Sequence, residues 1–324
     1  MRRNEVDFRR RVYFFRNEVA ANVRWSLSMT ESDLYSRVYE WLEPILLHPR
    51  RFTFVFSNPE EFQISTLRGV WGRALKAIDE DVYSKIFEGR GSKQLTTPRY
   101  VLRRAGLSQE SDDRRIEVDF ITWGASEEDL DVMTRAWNIA TQFGFGRGRE
   151  RFVLENSEPL YLPAPPQGLS LAKITKALST VGEPYAARFE TPVRFLERGV
   201  LIEEPTFEEL IKRTIARLAT IRLQTTKTFN LADSGRPAEL RPDFYAEIFE
   251  LAKTFRASKW RGEKCAYRRY SGRQRMEVEM RGIVGGWELY EDLGDLRSLV
   301  DSATVLGVGK ATVLGLGRLA LDYD

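Results

Sequence analysis

A glycine pattern that occurs twice constrains this chain most. Residues 304–324 read TVLGVGKATVLGLGRLALDYD, where Gly307-Val308-Gly309-Lys310 and Gly315-Leu316-Gly317-Arg318 each end an apolar run on a cation. Glycines one residue apart suit backbone that turns sharply or is approached closely by another chain, because no Cβ intervenes. A Lys or Arg directly after such a pair sets fixed positive charge beside bare N–H groups, which suits a phosphate chain. A nucleotide P-loop is excluded by spacing: Thr304 stands five before Gly309, and Ala311 follows Lys310. Two ordinary strands with glycine kinks remain the other reading. Near mid-chain, Phe143-Gly144-Phe145-Gly146-Arg147-Gly148-Arg149 repeats the combination between a helical and a strand-like segment. Two such entries, each late in its half, predict two related domains.

The order of elements agrees. A strand over 51–57 is followed by a helix over 66–79 with Leu67, Val70, Trp71, Ala74, Leu75 and Ile78 as its buried stripe. Strands over 98–104 and 114–123, a helix over 126–141 and a strand over 149–155 complete β-α-β-β-α-β, the ferredoxin-like split motif. The proline-dense segment 159–168 (PLYLPAPPQG) reads as an interdomain linker. The order then restarts with an apolar hairpin over 189–202 and a helix over 206–223, opened by a Thr206/Glu209 capping box. A further helix over 242–256 looks inserted. Strands around 265–283 and 286–290, a short helix over 292–301 and the glycine-rich ending follow. The predicted fold class is α+β: two tandem ferredoxin-like (RRM-like, βαββαβ) domains with an N-terminal helical extension. The boundaries are 1–48 for the basic, helical extension, 49–157 for the first domain, 158–185 for the linker region and 186–324 for the second domain. Within the extension, Thr30 and Asp33 open a helix whose face is Leu34, Tyr35, Val38, Trp41, Leu42 and Ile45.

Composition limits the chemistry. With 42% hydrophobic and 30% charged residues the chain is a soluble globular protein rather than a disordered one. The single cysteine, Cys265, excludes an internal disulfide and a cysteine-rich zinc site, and the single histidine, His48, excludes histidine-cluster metal sites. No metal and no cofactor is expected. The N-terminal MRRNEVDFRRRVYFF carries Glu5 and Asp7 and has no apolar core, so it does not read as a signal peptide. Nothing approaches a membrane span, and a cytoplasmic location with no membrane partner is the expectation.

Net charge is only +3, yet 50 Lys and Arg against 47 Asp and Glu conceal clustering. Residues 1–25 mix Arg2, Arg3, Arg9, Arg10, Arg11 and Arg16 with aromatics; they read either as an RNA-contacting arm or as a packed helix with its arginines in water. On the first long helix, Gly69, Gly72, Arg73 and Lys76 form a narrow basic face, open to solvent or to RNA. Between residues 256 and 281, Lys259, Arg261, Lys264, Arg268, Arg269, Arg273 and Arg275 interleave with Trp260, Tyr267 and Tyr270, and Ser271-Gly272 reads as a hairpin tip. Such a hairpin is either a clamp for structured RNA or a charge-protected edge strand. The dominance of planar guanidinium over ammonium favours the clamp.

Several runs carry a family likeness. YRRYSGRQ, MRGIVGGWELY and VLGVGKATVLGLGRLAL, together with FETPVRFLERGVLIEEPTFEELIKR, LRGVWGRALK and YSKIFEG, resemble the CRISPR-associated endoribonuclease of the RAMP superfamily that processes precursor CRISPR transcripts. The likeness covers roughly residues 50–324. It implies two ferredoxin-like domains flanking a cleft, CRISPR repeat RNA and its crRNA product as partners, and metal-free cleavage. In that reaction a ribose 2′-OH attacks the adjacent phosphate, leaving 2′,3′-cyclic phosphate and 5′-OH ends. A histidine commonly serves as base in the family, but its usual places are Arg73 and Gly307 here. The resemblance therefore leaves His48 as candidate base or, if His48 is not catalytic, Arg73, Lys76 or a tyrosine such as Tyr35 to stabilise the transition state, and Arg147, Arg149, Arg268, Arg269, Arg273, Arg275, Lys310 and Arg318 for the RNA. The alternative is an inactive crRNA-binding subunit working with other Cas effector subunits.

Overall fold

A computed structural model describes residues 33–59, 62–90, 97–105, 114–146, 148–161, 165–226, 242–271 and 276–323. The arginine-rich arm, Thr30 and the hairpin tip lie outside the described residues. The chain begins with α1 (Asp33–Leu42), which buries Leu34, Val38, Trp41 and Leu42, the face its periodicity predicts. β1 (Leu46–Phe56), α2 (Ile64–Ile78), β2 (Tyr100–Arg104), β3 (Arg115–Trp123), α3 (Glu127–Phe143) and β4 (Phe152–Pro159) follow. Their antiparallel sheet runs β2-β3-β1-β4, the order the split motif requires. α3 starts on a full capping box, with Ser126 accepting from the Asp129 amide and Asp129 from the Ser126 amide.

β1 begins at Leu46, so a domain boundary at residue 48 would cut the central strand. Pro49 hides the strand from a sequence reader because it offers no N–H. Here the neighbouring chain uses its carbonyl instead, which accepts from the Leu160 amide at 3.0 Å.

The segment 158–185 is more than a linker. After the prolines come β5 (Leu169–Ser170), which pairs with β1, and α4 (Leu171–Ser179), which buries Leu171, Ala172, Ile174 and Thr175. The second domain follows as β6 (Pro184–Phe189), the small ladder β7 (Leu196–Glu197) and β8 (Val200–Leu201), α5 (Phe207–Thr226), α6 (Pro242–Thr254), β9 (Arg261–Ser271), β10 (Met276–Glu288), α7 (Arg297–Leu306) and β11 (Leu319–Tyr323). Its sheet order, β11-β6-β10-β9, repeats that of the first domain, with α6 as the addition. Thr206 caps α5 through the Glu209 amide at 3.2 Å, while the Glu209 carboxylate takes Arg213 at 2.5 Å.

The two faces of the first sheet do different work. Phe52, Phe54, Phe56, Tyr100, Leu102, Val118 and Phe120 pack under α2 and α3 around Trp71 and Trp137. Leu47, Val101, Ile121 and Trp123 face the other way and join the core of the second domain. Trp123 Nε1 donates to Gln224 Oε1 at 2.8 Å on α5, and Gln224 reaches back to the Thr97 carbonyl at 2.8 Å. α1 also packs on the second domain, with Trp41 against Phe244 and Tyr245 of α6. Among the described residues no helix is long and apolar enough to cross a membrane.

Candidate nucleic-acid interface

α7 ends at Gly307, and the chain then makes a tight loop before β11. Gly307, Gly309, Gly315 and Gly317 all have positive φ, and so does Ala311 at 66°. Gly317 is the position least open to change, because a Cβ there would stand 1.9 Å from the Val308 carbonyl oxygen. The loop is fastened internally: Val308 donates to Gly317 at 2.9 Å, Lys310 to the Arg194 carbonyl at 3.0 Å and Gly317 to the Pro192 carbonyl at 2.9 Å. The expectation of bare N–H groups thus holds for only part of the loop. Gly309, Ala311 and Val313, all partly exposed, are the open amides without a protein acceptor among the described residues.

The basic hairpin sits on this loop. Met280 of β10 is buried with Leu314 and Leu316, and Tyr267, Val278, Ala311 and Val313 pack around them. The opposite side of the hairpin is exposed and carries Arg268, whose register partner Glu279 accepts its Nε at 3.2 Å. Lys264 likewise meets Glu203 at 2.6 Å, and Arg261 meets Glu288. Glu279 and Glu288 of β10 and Glu203 therefore balance Arg268, Arg261 and Lys264. Such exposed pairs are worth about 0–1 kcal/mol and yield readily to a phosphate.

The loop also meets one end of the first domain. Gly315 lies against Ile64 at the start of α2, and Arg318 Nη1 donates to the Arg104 carbonyl at 2.7 Å. That end is basic. Arg104, at the close of β2, is exposed over the Phe62 ring at 5.8 Å; Phe62 in turn stacks on Phe145 of the first glycine run. Beyond it, Arg149 has positive φ at 51°, and exposed Arg151 precedes β4. Arg104, Arg149, Arg151 and Lys310 are exposed and meet no carboxylate among the described residues. Phe145 itself is buried in the first core, so this run offers the turn around it rather than its apolar part.

The family profile described as CRISPR-associated endoribonuclease Cas6 matches residues 187–319, which span both the hairpin and the glycine-rich loop. Residues 187–319 are thus similar to Cas6. Endoribonucleolytic processing of CRISPR RNA is the activity that family carries. Among solved structures, Thermus thermophilus Cas6 (TTHB231) has a TM-score of 0.52 at 12% identity, over 86% of this chain and 98% of that one. A Cas6 (TTHA0078) product complex has a TM-score of 0.50 at 15% identity, over 86% and 100%. A partial Cas6-RT-Cas1–Cas2 complex has a TM-score of 0.51 at 13% identity, over 86% of this chain and 46% of that one. At these identities the likeness is one of fold. No curated protein gives a match.

Within this fold the sequence-predicted residues divide. Lys310, Arg149 and Arg268 stand exposed at the loop, the basic end and the hairpin. Arg318 is largely engaged, with Glu190 Oε2 at 2.7 Å besides the Arg104 carbonyl. Arg269 occupies the register position opposite Val278, while Arg147, Arg273 and Arg275 lie outside the described residues. Arg73 is exposed over Phe143 at 5.7 Å. Lys76, paired with Glu80 at 3.2 Å, lies about 18 Å along α2 from the glycine contact at Ile64, at 1.5 Å per residue.

His48 is at the far end as well. It lies on β1 opposite Thr122, four residues from Phe52, whose β3 partner Val118 is also that of Arg104. Strand rise and spacing put it about 16 Å from Arg104. It lines a cavity of about 270 Å³ with Trp137, Tyr161 and the 165–166 prolines, against the Gly168 backbone. Burial pushes its pKa below the ordinary 6.5. The fold does not bring His48 to the loop. Sequence reasoning missed Arg104 and Arg151, since single arginines at strand ends carry no motif; only the sheet order makes them neighbours of the glycine turns.

Proposed function

We propose that this chain binds CRISPR repeat RNA across the basic end of the first domain, the glycine-rich loop and the β9–β10 hairpin. It cleaves there by metal-independent attack of a ribose 2′-OH on the adjacent phosphate and retains the product. The observation that carries this reading is that the loop of Lys310 meets the end of the first domain that carries Arg104, Arg149 and Arg151, all four being exposed and without a carboxylate partner among the described residues. Fixed positive charge at that edge draws a phosphate backbone and stabilises charge on a pentacoordinate phosphorus. Lys310, on a loop with open amides, is the group of that edge best suited to the second task. Arg73 lies on the same side of α2 as the end of α3 and extends the basic surface.

A second reading has its own observation. The only histidine faces a cavity about 16 Å from the loop by strand geometry, which leaves the edge without a group that titrates near neutral pH. That arrangement suits a binding subunit that holds crRNA without cutting it. Incubation with the cognate repeat RNA in EDTA, beside RNA carrying a 2′-deoxy sugar at the cut, separates the two. Cleavage of the first RNA only supports the enzyme; tight binding with no product from either supports the subunit.

A further inference from the structure

We propose that Arg103 is a positioning residue that sets the glycine-rich loop against the basic end of the first domain, so that RNA affinity at Lys310 depends on a side chain the RNA never touches. This inference rests on the RNA-binding reading above. Both ends of the loop are fastened to one dipeptide of β2. At its entry, Arg103 Nη1 donates to the carbonyls of Thr304 at 2.5 Å and Val305 at 3.1 Å, in the last turn of α7. The next carbonyl, that of Leu306, takes Arg217 Nη2 at 3.0 Å. At its exit, Arg318 returns to the carbonyl of Arg104. A helix leaves these last carbonyls without internal partners, and its dipole favours positive charge beside them.

Arg103 is itself held from behind. It is 5% exposed, and its Nε lies 3.5 Å from Asp119 Oδ2 on β3, which is fully buried. Asp119 Oδ1 accepts from Arg51 Nε of β1 at 2.9 Å and forms an ion pair with Arg51 Nη2 at 2.8 Å, and Arg51 Nη1 lies 3.3 Å from Glu117. A chain of ion pairs thus crosses three strands of the first sheet and ends on the loop of the second domain. Buried ion pairs are costly to desolvate, and their best-attested use is to fix one arrangement among several. The arrangement fixed here is the spacing between Lys310 and the Arg149–Arg151 turn, which a strand of phosphates must match.

A double-mutant cycle with Arg103→Gln and Lys310→Ala, read as equilibrium affinity for repeat RNA, tests this. Arg103→Gln is expected to weaken binding about tenfold, Lys310→Ala to cost much less in that background than alone, and Arg103→Lys to restore part of the loss. Equal cost of Lys310→Ala in both backgrounds, or unchanged affinity of Arg103→Gln, overturns the proposal. Hydrogen exchange without RNA reads the fastening directly: the amides of Val308 and Gly317 exchange faster in Arg103→Gln while strand amides of both sheets keep their protection. Unchanged loop protection overturns it too. Should Arg103→Gln fail to fold, Arg318→Met at the loop's exit takes its place in both measurements. If the wild type does not bind repeat RNA, the RNA reading fails, and the exchange experiment still decides whether β2 holds the loop.

Discussion

Lys310 shows how a single side chain is set up for a polyanion. It is exposed, follows a glycine at φ 83°, and its own amide is tied to the Arg194 carbonyl, so the backbone is fixed while the ammonium is free. Replacing it with alanine is expected to weaken repeat-RNA binding about tenfold and to reduce the salt slope by about 1, measured by titration at several salt concentrations. Gly317 is the opposite kind of residue. At φ 71° with a carbonyl where a Cβ would go, Gly317→Ala is expected to cost roughly 1–3 kcal/mol in denaturant unfolding. His48 has a different signature. Burial depresses its folded-state pKa, so below about pH 6.5 the unfolded chain takes up a proton that the folded one refuses, and stability falls as pH drops through that window. His48→Gln should therefore flatten the loss of Tm between about pH 7 and pH 5. A steeper loss in the variant would contradict the assigned burial effect.

At the scale of elements, periodicity was a good guide wherever a single face decides burial. The stripe of α1 and Leu67, Trp71, Ala74 and Leu75 of α2 stand where the residues put them, and Thr206 caps α5; Gly72, expected on the open basic face of α2, is instead buried against Phe87. Three elements were harder to read. β1 starts ahead of Pro49 because the neighbouring chain needs that residue's carbonyl and not an N–H. α4 hides behind four prolines, although Leu171, Ile174 and Thr175 recur at helical spacing and are buried. β9 and β10 form one long hairpin, where the glycines at 282, 285 and 286 suggest a break; the partner backbones come close enough there that a Cβ at Gly286 would stand 2.2 Å from the Ala187 carbonyl. The hairpin's own footing is testable. Met280 is buried against Leu314 and Leu316, so Met280→Ala should cost about 2–5 kcal/mol and loosen the loop along with the hairpin. Faster exchange at the amides of residues 314–317 is the expected readout.

At the scale of the whole molecule, the candidate interface was only half legible. Its cations could be counted in the sequence, but their convergence depends on contacts between positions as far apart as Arg103 and Thr304, 201 residues away in sequence. No local pattern encodes that, which is why Arg73, Lys76 and His48 stood in for groups that the fold puts closer to the loop. The same long contacts couple the domains. Gln224→Leu strands the Trp123 indole N–H, which is buried, and frees the Thr97 carbonyl. Thermal unfolding followed by tryptophan fluorescence should show a loss of about 1–3 kcal/mol, because a buried donor loses its acceptor. Two separate transitions in place of one would show that this contact helps the halves melt together.

α1 has one more consequence, for synthesis. Its buried side faces α4, α6 and α7, the last of which begins at Arg297. At roughly 5–20 residues per second, translation leaves about 13–50 s between the emergence of Leu42 and that of Arg297. For that interval a helix carrying Leu34, Val38 and Trp41 has no finished surface to dock on. A nascent chain stalled shortly after β4 should thus present these side chains to chaperones, whereas a completed chain hides them.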